Sequence, residues 1–144
     1  MVSVERTFTT RTPPEAVFDF LADFSHAEEW DPGTVECDRL AGDGGVGTHY
    51  RNVSTFLGRT TIVEYVTEEL VPPRYVHFRG HNEQFIGHDR LHLEPAGAGT
   101  RVVYEAELGF SGGVRLATPL VAAYLPFLAK KTVRQLRERL DALA

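Results

Sequence analysis

The last quarter of the chain, Gly112 to Ala144, opens on a glycine pair and then runs on without another glycine. Leu116, Leu120, Tyr124, Phe127 and Leu128 recur at helical spacing, and Val133, Leu136, Leu140 and Leu143 continue the pattern, which predicts one long amphipathic helix. A helix cannot bury an apolar stripe against itself. It must lie across a second layer, and the β-rich middle of the chain is the only candidate, so a pocket is expected between the two. Pro126 lacks an N–H donor and crowds the carbonyl four residues earlier, which predicts a kink near Ala122 to Pro126. Past that point Lys130, Lys131, Arg134, Arg137 and Arg139 form a polar face suited to the negative end of the helix dipole.

At 144 residues the chain makes one domain, 1–144, large enough for a substantial core. Its net charge of -5, with no aromatic residues interleaved among the cations of the last helix, argues against a nucleic-acid or membrane role for them. No window approaches the roughly 20 apolar residues of a membrane span, and no charged-then-apolar signal segment opens the chain. The cytoplasm is the expected location, with no stable membrane insertion, as a monomer or homodimer. Cys37 is alone, which excludes an internal disulfide and a cysteine-cluster metal site and reads as a buried thiol. Lys130 and Lys131 are the only lysines, and this preference for arginine suggests a GC-rich bacterial genome.

In chain order, Val2, Val4, Thr7 and Phe8 lie in a β-prone opening. Thr12-Pro13-Pro14-Glu15 then reads as a helix start with Thr12 as the cap. Ala16, Val17, Phe20, Leu21 and Phe24 share one face of that helix. A second polar start, Asp23 to Ser25, leads into a short helical turn stopped by Pro32 and Gly33. From Thr34 to Phe110 the pattern has period two, broken by turn signals at Gly42 to Gly47, Leu57-Gly58, Pro72-Pro73, His81 to Gln84 and Pro95 to Gly99. Six strands therefore follow the first.

The order of elements and several local stretches resemble the polyketide cyclase/dehydrase group of the START-like, helix-grip (SRPBCC) superfamily. The resemblance spans the whole chain and is carried by TPPEAVFDFLADFSHAEEWDPG, GVGTHYRN, EELVPPRYVHF, LEPAGAGTRVVYE and the final helix opening on GGVRLATPL. It implies an α+β fold: a seven-stranded antiparallel sheet wrapped around the C-terminal helix, two short helices between strands one and two, and a cavity between sheet and helix. Proteins similar in this way include aromatase/cyclases, lipid and quinone carriers and hormone receptors, so the fold alone does not decide the function. Trp30 matches the aromatic residue that follows the short helix in this family, where it would flank the cavity entrance.

Alternation selects the side chains that face this cavity. In the last strand Val102, Tyr104, Ala106, Leu108 and Phe110 point to the helix, and in the strand before it Phe85, Gly87, Asp89, Leu91 and Leu93 do so. An antiparallel register pairing Leu91 with Tyr104 and Phe78 with Gly87 places Asp89 between Val76 and Ala106. A turn at Leu57-Gly58 pairs Tyr50 with Tyr65 and Asn52 with Val63. Tyr50, Asn52, Ser54, Phe56, Val63 and Tyr65 are then expected to line the pocket, with Phe78 and Tyr104 from the sheet and Leu120 and Tyr124 from the helix.

Asp89 stands out as a carboxylate on an otherwise apolar inward face. Desolvation would raise its pKa and poise it as a general acid or base for proton removal next to a carbonyl. The competing reading is an Asp that bonds a tyrosine hydroxyl, backbone or water, or that holds a ligand. Tyr50, Tyr65 and Tyr104 could donate to a ligand carbonyl, although inward aromatics are commonly plain core. His77 and His88 fall opposite each other in this register, with His81 and His92 on the same face. That face is the outer one, and Arg79 and Arg90 among the histidines oppose a divalent cation, so no metal is expected. AGDGGVG lacks the Lys-Ser/Thr ending of a phosphate loop and precedes a strand, and no Gly-x-Ser-x-Gly elbow occurs, so no cofactor is implied. Three functions fit: a carrier or binder of a small, mostly apolar molecule such as a polyketide or lipid; an aromatase/cyclase-like or dehydratase enzyme using Asp89 and cavity tyrosines; and a protein-interaction module using a sheet edge or the basic end of the last helix.

Overall fold

The computed structural model describes residues 1–144. Strand β1 (Val2–Thr10) leads into helix α1 (Pro14–Ala22), a 3-10 turn (Phe24–His26) and the one-turn helix α2 (Ala27–Trp30). Six strands follow: β2 (Thr34–Ala41), β3 (His49–Phe56), β4 (Arg59–Val71), β5 (Tyr75–Asn82), β6 (Phe85–Ala96) and β7 (Gly99–Phe110). A second 3-10 segment (Gly112–Ala117) then opens into helix α3 (Thr118–Asp141). The seven strands form one antiparallel sheet in the order β1-β7-β6-β5-β4-β3-β2, so each strand from β2 onward pairs with its sequence neighbour and β1 closes on β7. This is the expected sheet grasping a C-terminal helix.

The turns explain the meander. Leu57 and Gly58 both take positive φ, 50° and 79°, which gives a tight two-residue link whose twist matches the flanking strands. The resulting pairs Tyr50 with Tyr65 and Asn52 with Val63 are as the sequence predicts, as is Leu91 with Tyr104. Between β5 and β6 the register differs by two residues: the turn is only Glu83-Gln84, so Phe78 lies opposite Asp89, and Gly80 opposite Gly87. Asp89 therefore sits between Phe78 and Ala106, not between Val76 and Ala106. A slip of two keeps every side chain on its face, so the inward set is unchanged.

Three further expectations are corrected. Thr12 does not cap α1, whose N-cap is Pro13; the Thr12 hydroxyl instead donates to the Leu140 carbonyl and ties the start of α1 to the end of α3. Gly112–Ala117 is 3-10 rather than α-helical, and α-geometry begins where Pro119 fits an N-terminal turn. An 18-residue window within Gly112–Asp141 does reach a mean hydropathy of 1.3, enough by length and composition for a span. Its apolar residues alternate with Thr118, Pro119 and alanines, so no continuous run announces it.

Helix α3 divides into two functional halves. Its C-terminal half packs Leu136 and Leu140 into the core with Phe8, Val17, Leu21, Phe24 and Trp30. Polar bonds fasten it there: Thr10 Oγ1 donates to Asp141 Oδ1 at 2.5 Å, Gln135 Nε2 to the Glu29 carbonyl at 3.1 Å, and Arg139 pairs with Glu29. Between Pro119 and Lys131 no side chain hydrogen-bonds the sheet. That half is held by apolar contact alone, and it roofs a cavity.

Candidate functional site

The cavity exists because the elements between β1 and β2 fill only one end of the sheet. Phe24, at the 3-10 turn, lies 4.4 Å from the Tyr65 ring, 4.5 Å from Phe78, 5.9 Å from Tyr50 and 6.2 Å from Trp30. This aromatic cluster packs solid. Beyond Tyr65 nothing from α1 or α2 reaches, and a space of about 320 Å³ remains under the N-terminal half of α3. That volume falls at the small end of the range for small-molecule sites, about 300–1,000 Å³. Its walls come from Phe56, Val63, Phe85, Ala106, Leu108 and Phe110 of the sheet and from Leu125, Leu128 and Ala129 of the helix.

Of the expected lining residues, the structure brings Tyr65, Asp89 and Tyr104 to this cavity, with Ser54, Phe56 and Val63 beside them. Six others are placed elsewhere. Tyr50 and Phe78 are completely buried in the aromatic cluster, where Phe24 of the 3-10 turn covers that part of the inward face. Trp30 is equally buried and packs edge-on against Phe24 and Tyr104, so it forms a wall behind the site and not its entrance. Asn52 spends its amide on Thr34 Oγ1 at 3.0 Å and accepts from the Ser54 hydroxyl. Leu120 points outward, and Tyr124 packs against Phe56 at 5.7 Å behind the lining. The helix errors share one cause: from Leu116 to Leu128 apolar residues occur all round α3, so periodicity could not choose the inner stripe. The structure chooses Val121, Leu125, Ala129 and Thr132.

The polar side chains of the cavity include a hairpin group, Thr55, Arg59, Thr60, Thr61, Asn82 and Gln84, and a carboxyl–phenol group. Tyr104 Oη donates to Asp89 Oδ1 at 3.2 Å, and Asp31 joins them from the end of α2. Asp31 was read from sequence only as part of a helix stop. Its carboxylate accepts from Thr34 Oγ1 at 2.7 Å and from the Gly33 amide at 3.4 Å, a local turn motif that aims the group inward. The signal was present in an Asp directly after a buried aromatic, at the point where the chain must turn back to the sheet. Both carboxyls are partly exposed, and the cavity supplies that exposure.

Burial, reinforced by the charge of Asp31, pushes Asp89 up to about 7 against the opposing hydrogen bond from Tyr104. Burial also raises Asp31, against the Thr34 and Gly33 donors. Tyr65 and Tyr104 are held well above the usual phenol range, chiefly by burial and then by Asp89. Near neutral pH the site thus offers the Tyr65 O–H as a donor, the Tyr104 O–H being given to Asp89, and a carboxyl poised between donor and acceptor. Gly80 makes room for this arrangement: a Cβ there would lie 2.6 Å from Tyr65 Cζ. Arg59, the one cation in the lining, stands exposed at the β3–β4 hairpin. Asn82 and Gln84 of the lining, also missed from sequence, come from the end of β5 and the β5–β6 turn.

The outer face of the sheet is a separate layer. His77 Nε2 lies 2.9 Å from His88 Nδ1, but the register sets His77 opposite Arg90 and His88 opposite Arg79, so this contact is diagonal and not the direct pairing expected. Burial and the neighbouring guanidiniums lower both histidines. Glu68, Glu107 and Glu105 pair with Arg79, Arg90 and His92 around them. Cys37 is buried, with its thiol pushed up to about 12, first by burial.

A meander sheet gripping a C-terminal helix over an apolar cavity defines a class of small-molecule-binding folds, and comparison with known proteins specifies it. The family model described as Polyketide cyclase / dehydrase and lipid transport matches residues 1–144. The chain belongs to this family. A START superfamily protein from Mycobacterium smegmatis superposes with a TM-score of 0.82 at 16% identity, covering 99% of each chain. A protein from Thermus thermophilus does so at 0.81 and 20% identity, also over 99% of each. The aromatase/cyclase ZhuI from Streptomyces sp. R1128 reaches 0.76 at 15% identity, over 97% of this chain and 91% of its own. At these identities the likeness establishes the START-like fold. No curated protein sequence matches the chain.

Proposed function

We propose that the chain binds a small, mostly apolar molecule whose neutral, oxygen-bearing end meets Asp89, Asp31, Tyr65 and Tyr104. The observation that carries this reading is the cavity itself: apolar over most of its wall, with two carboxyls and two tyrosines gathered together within it. Apolar walls supply affinity through area removed from water, and convergent donors fix orientation. The charge pattern selects further. A ligand carboxylate would add an anion beside Asp31 and Asp89, with the nearest lining cation out at the hairpin, whereas a carbonyl or hydroxyl accepts from Tyr65 at no such cost. Membership of a family described by cyclase, dehydrase and lipid transport functions supports the apolar class of ligand. Native mass spectrometry of the protein purified from its own host, compared with the denatured mass, tests this. A co-purifying neutral small molecule is the expected result; a charged, carboxylate-bearing one contradicts the selectivity.

A second reading, an enzyme of the cyclase or dehydratase type, is favoured by one feature. A carboxyl held near neutrality and hydrogen-bonded to a phenol can take a proton from a carbon next to a carbonyl and return it to a departing oxygen. In that case Asp89→Asn abolishes turnover while ligand binding survives. Turnover that persists in the variant removes Asp89 from the chemistry.

A further inference from the structure

The N-terminal half of α3 carries two apolar stripes, and the cavity uses only one. The other faces out: Leu120 is 60% exposed and Phe127 68%, and Leu116, in the 3-10 segment just before the helix, is 84% exposed. On the helix Leu120, Ala123 and Phe127 follow one another at intervals of three and four, and the same line runs on to Lys131 and Arg134. Monomeric soluble proteins seldom leave large apolar side chains aligned in this way without use. The face also adjoins the cavity lining, because Tyr124 of this half packs on Phe56, next to the exposed hairpin tip at Leu57.

Charge decides what covers it. Ser111 to Arg137 contains five cations and no acid, in a chain whose net charge is -5. A second copy of the chain would bring the same stripe with the same cations, and no carboxylate in that segment to pair them. A sheet of phosphates supplies both missing elements, negative charge at the surface and an apolar layer beneath it. We infer that the outer face of α3 docks the protein reversibly on an anionic lipid surface, with Leu120 and Phe127 in the acyl boundary and Lys130, Lys131 and Arg134 among the headgroups. The expectation that these cations have no membrane role rested on whole-chain charge and on the lack of aromatics interleaved with them; the charge of this segment is opposite, and the apolar side chains precede the cations along the helix. Docking of this kind lays the helix that roofs the cavity against the lipid. That it serves ligand exchange rests on the ligand-binding reading above; the docking itself does not.

The test is flotation of the full chain, without added ligand, on phosphatidylcholine vesicles prepared with and without phosphatidylglycerol. Binding is expected only where phosphatidylglycerol is present, and it should fall as salt is raised. Leu120→Glu combined with Phe127→Glu should weaken it about tenfold or more, and Lys131→Gln and Arg134→Gln about fivefold for each cation removed. All four positions are exposed, so unchanged urea midpoints should accompany the losses. Failure to float on anionic vesicles overturns the inference, as does equal flotation on both lipids or wild-type behaviour of the Leu120/Phe127 variant. Sedimentation of the wild type as a dimer that Phe127→Glu dissolves would assign the face to a second copy instead. None of these outcomes depends on whether the cavity holds a ligand, which the native mass measurement reads separately.

Discussion

Replacing Asp89 by Asn should make the protein more stable above neutral pH and remove much of its pH dependence below it. The folded-state pKa of about 7 lies above the ordinary carboxylate value, so between about pH 4 and 7 the folded protein binds more protons than the unfolded chain. Stability from this group is therefore fully present below the unfolded pKa and lost as pH rises through the folded one. A shift of this size corresponds to at most about 4 kcal/mol, less if water fills the cavity. His77 and His88, whose pKa values are lowered, contribute the opposite slope near pH 6, because there the unfolded chain is the better proton acceptor. The depressed carboxylates Glu68 and Asp141 also titrate, but they persist in the variant and largely cancel in the difference, whereas Asp31, coupled to Asp89 by charge, loses that neighbour in the variant. Urea midpoints across the range should place Asp89→Asn above wild type at about pH 8, with the gap closing by about pH 4. Parallel curves would mean that Asp89 is solvated in the folded state, and the electrostatic description of the site would fail.

The largest loss of stability should come from Phe24→Ala. Phe24 is 2% exposed and lies within 6.2 Å, ring to ring, of Trp30, Tyr50, Tyr65 and Phe78, so it joins the segment between β1 and β2 to the sheet. Truncation removes its burial and leaves a hole bounded by rigid rings, a cost of about 3–5 kcal/mol. Against a typical total of about 5–15 kcal/mol, that is enough to bring the protein close to its unfolding threshold. Thermal or urea denaturation gives the value directly. A loss near 1 kcal/mol would indicate that the cluster collapses around the gap and that the closed end of the core is softer than its packing implies.

These effects fall where sequence was least informative. Alternation from Thr34 to Phe110 and the turn signals between the strands determine the sheet and most of the inward faces, because a side chain's face follows parity except at irregularities such as that between Thr67 and Glu69. Parity cannot distinguish Phe78 opposite Gly87 from Phe78 opposite Asp89, so the neighbours of Asp89 were misplaced while its direction was right. Nor does it say how far Phe24 and α1 extend over the inward face, which is why Tyr50 and Phe78 belong to the solid end and Tyr65 and Tyr104 border the cavity. On α3, apolar residues on two sides left Leu120 and Leu125 equivalent on paper. Asp31 was hidden in a turn motif whose local explanation sufficed without a cavity.

The central claim, that the space beneath α3 is a site for an apolar ligand, is tested most directly by titrating the protein with the neutral fluorophore N-phenyl-1-naphthylamine. Wild type and Ala129→Trp are compared. Ala129 is buried and faces the cavity from α3, so an indole there fills the space from the helix side without touching Asp89 or Tyr104 chemically. The account predicts saturable, one-to-one enhancement of fluorescence in the wild type and its loss in a variant that unfolds cooperatively. Equal enhancement in both would place the dye on the outer face of α3 and contradict a ligand site in the cavity.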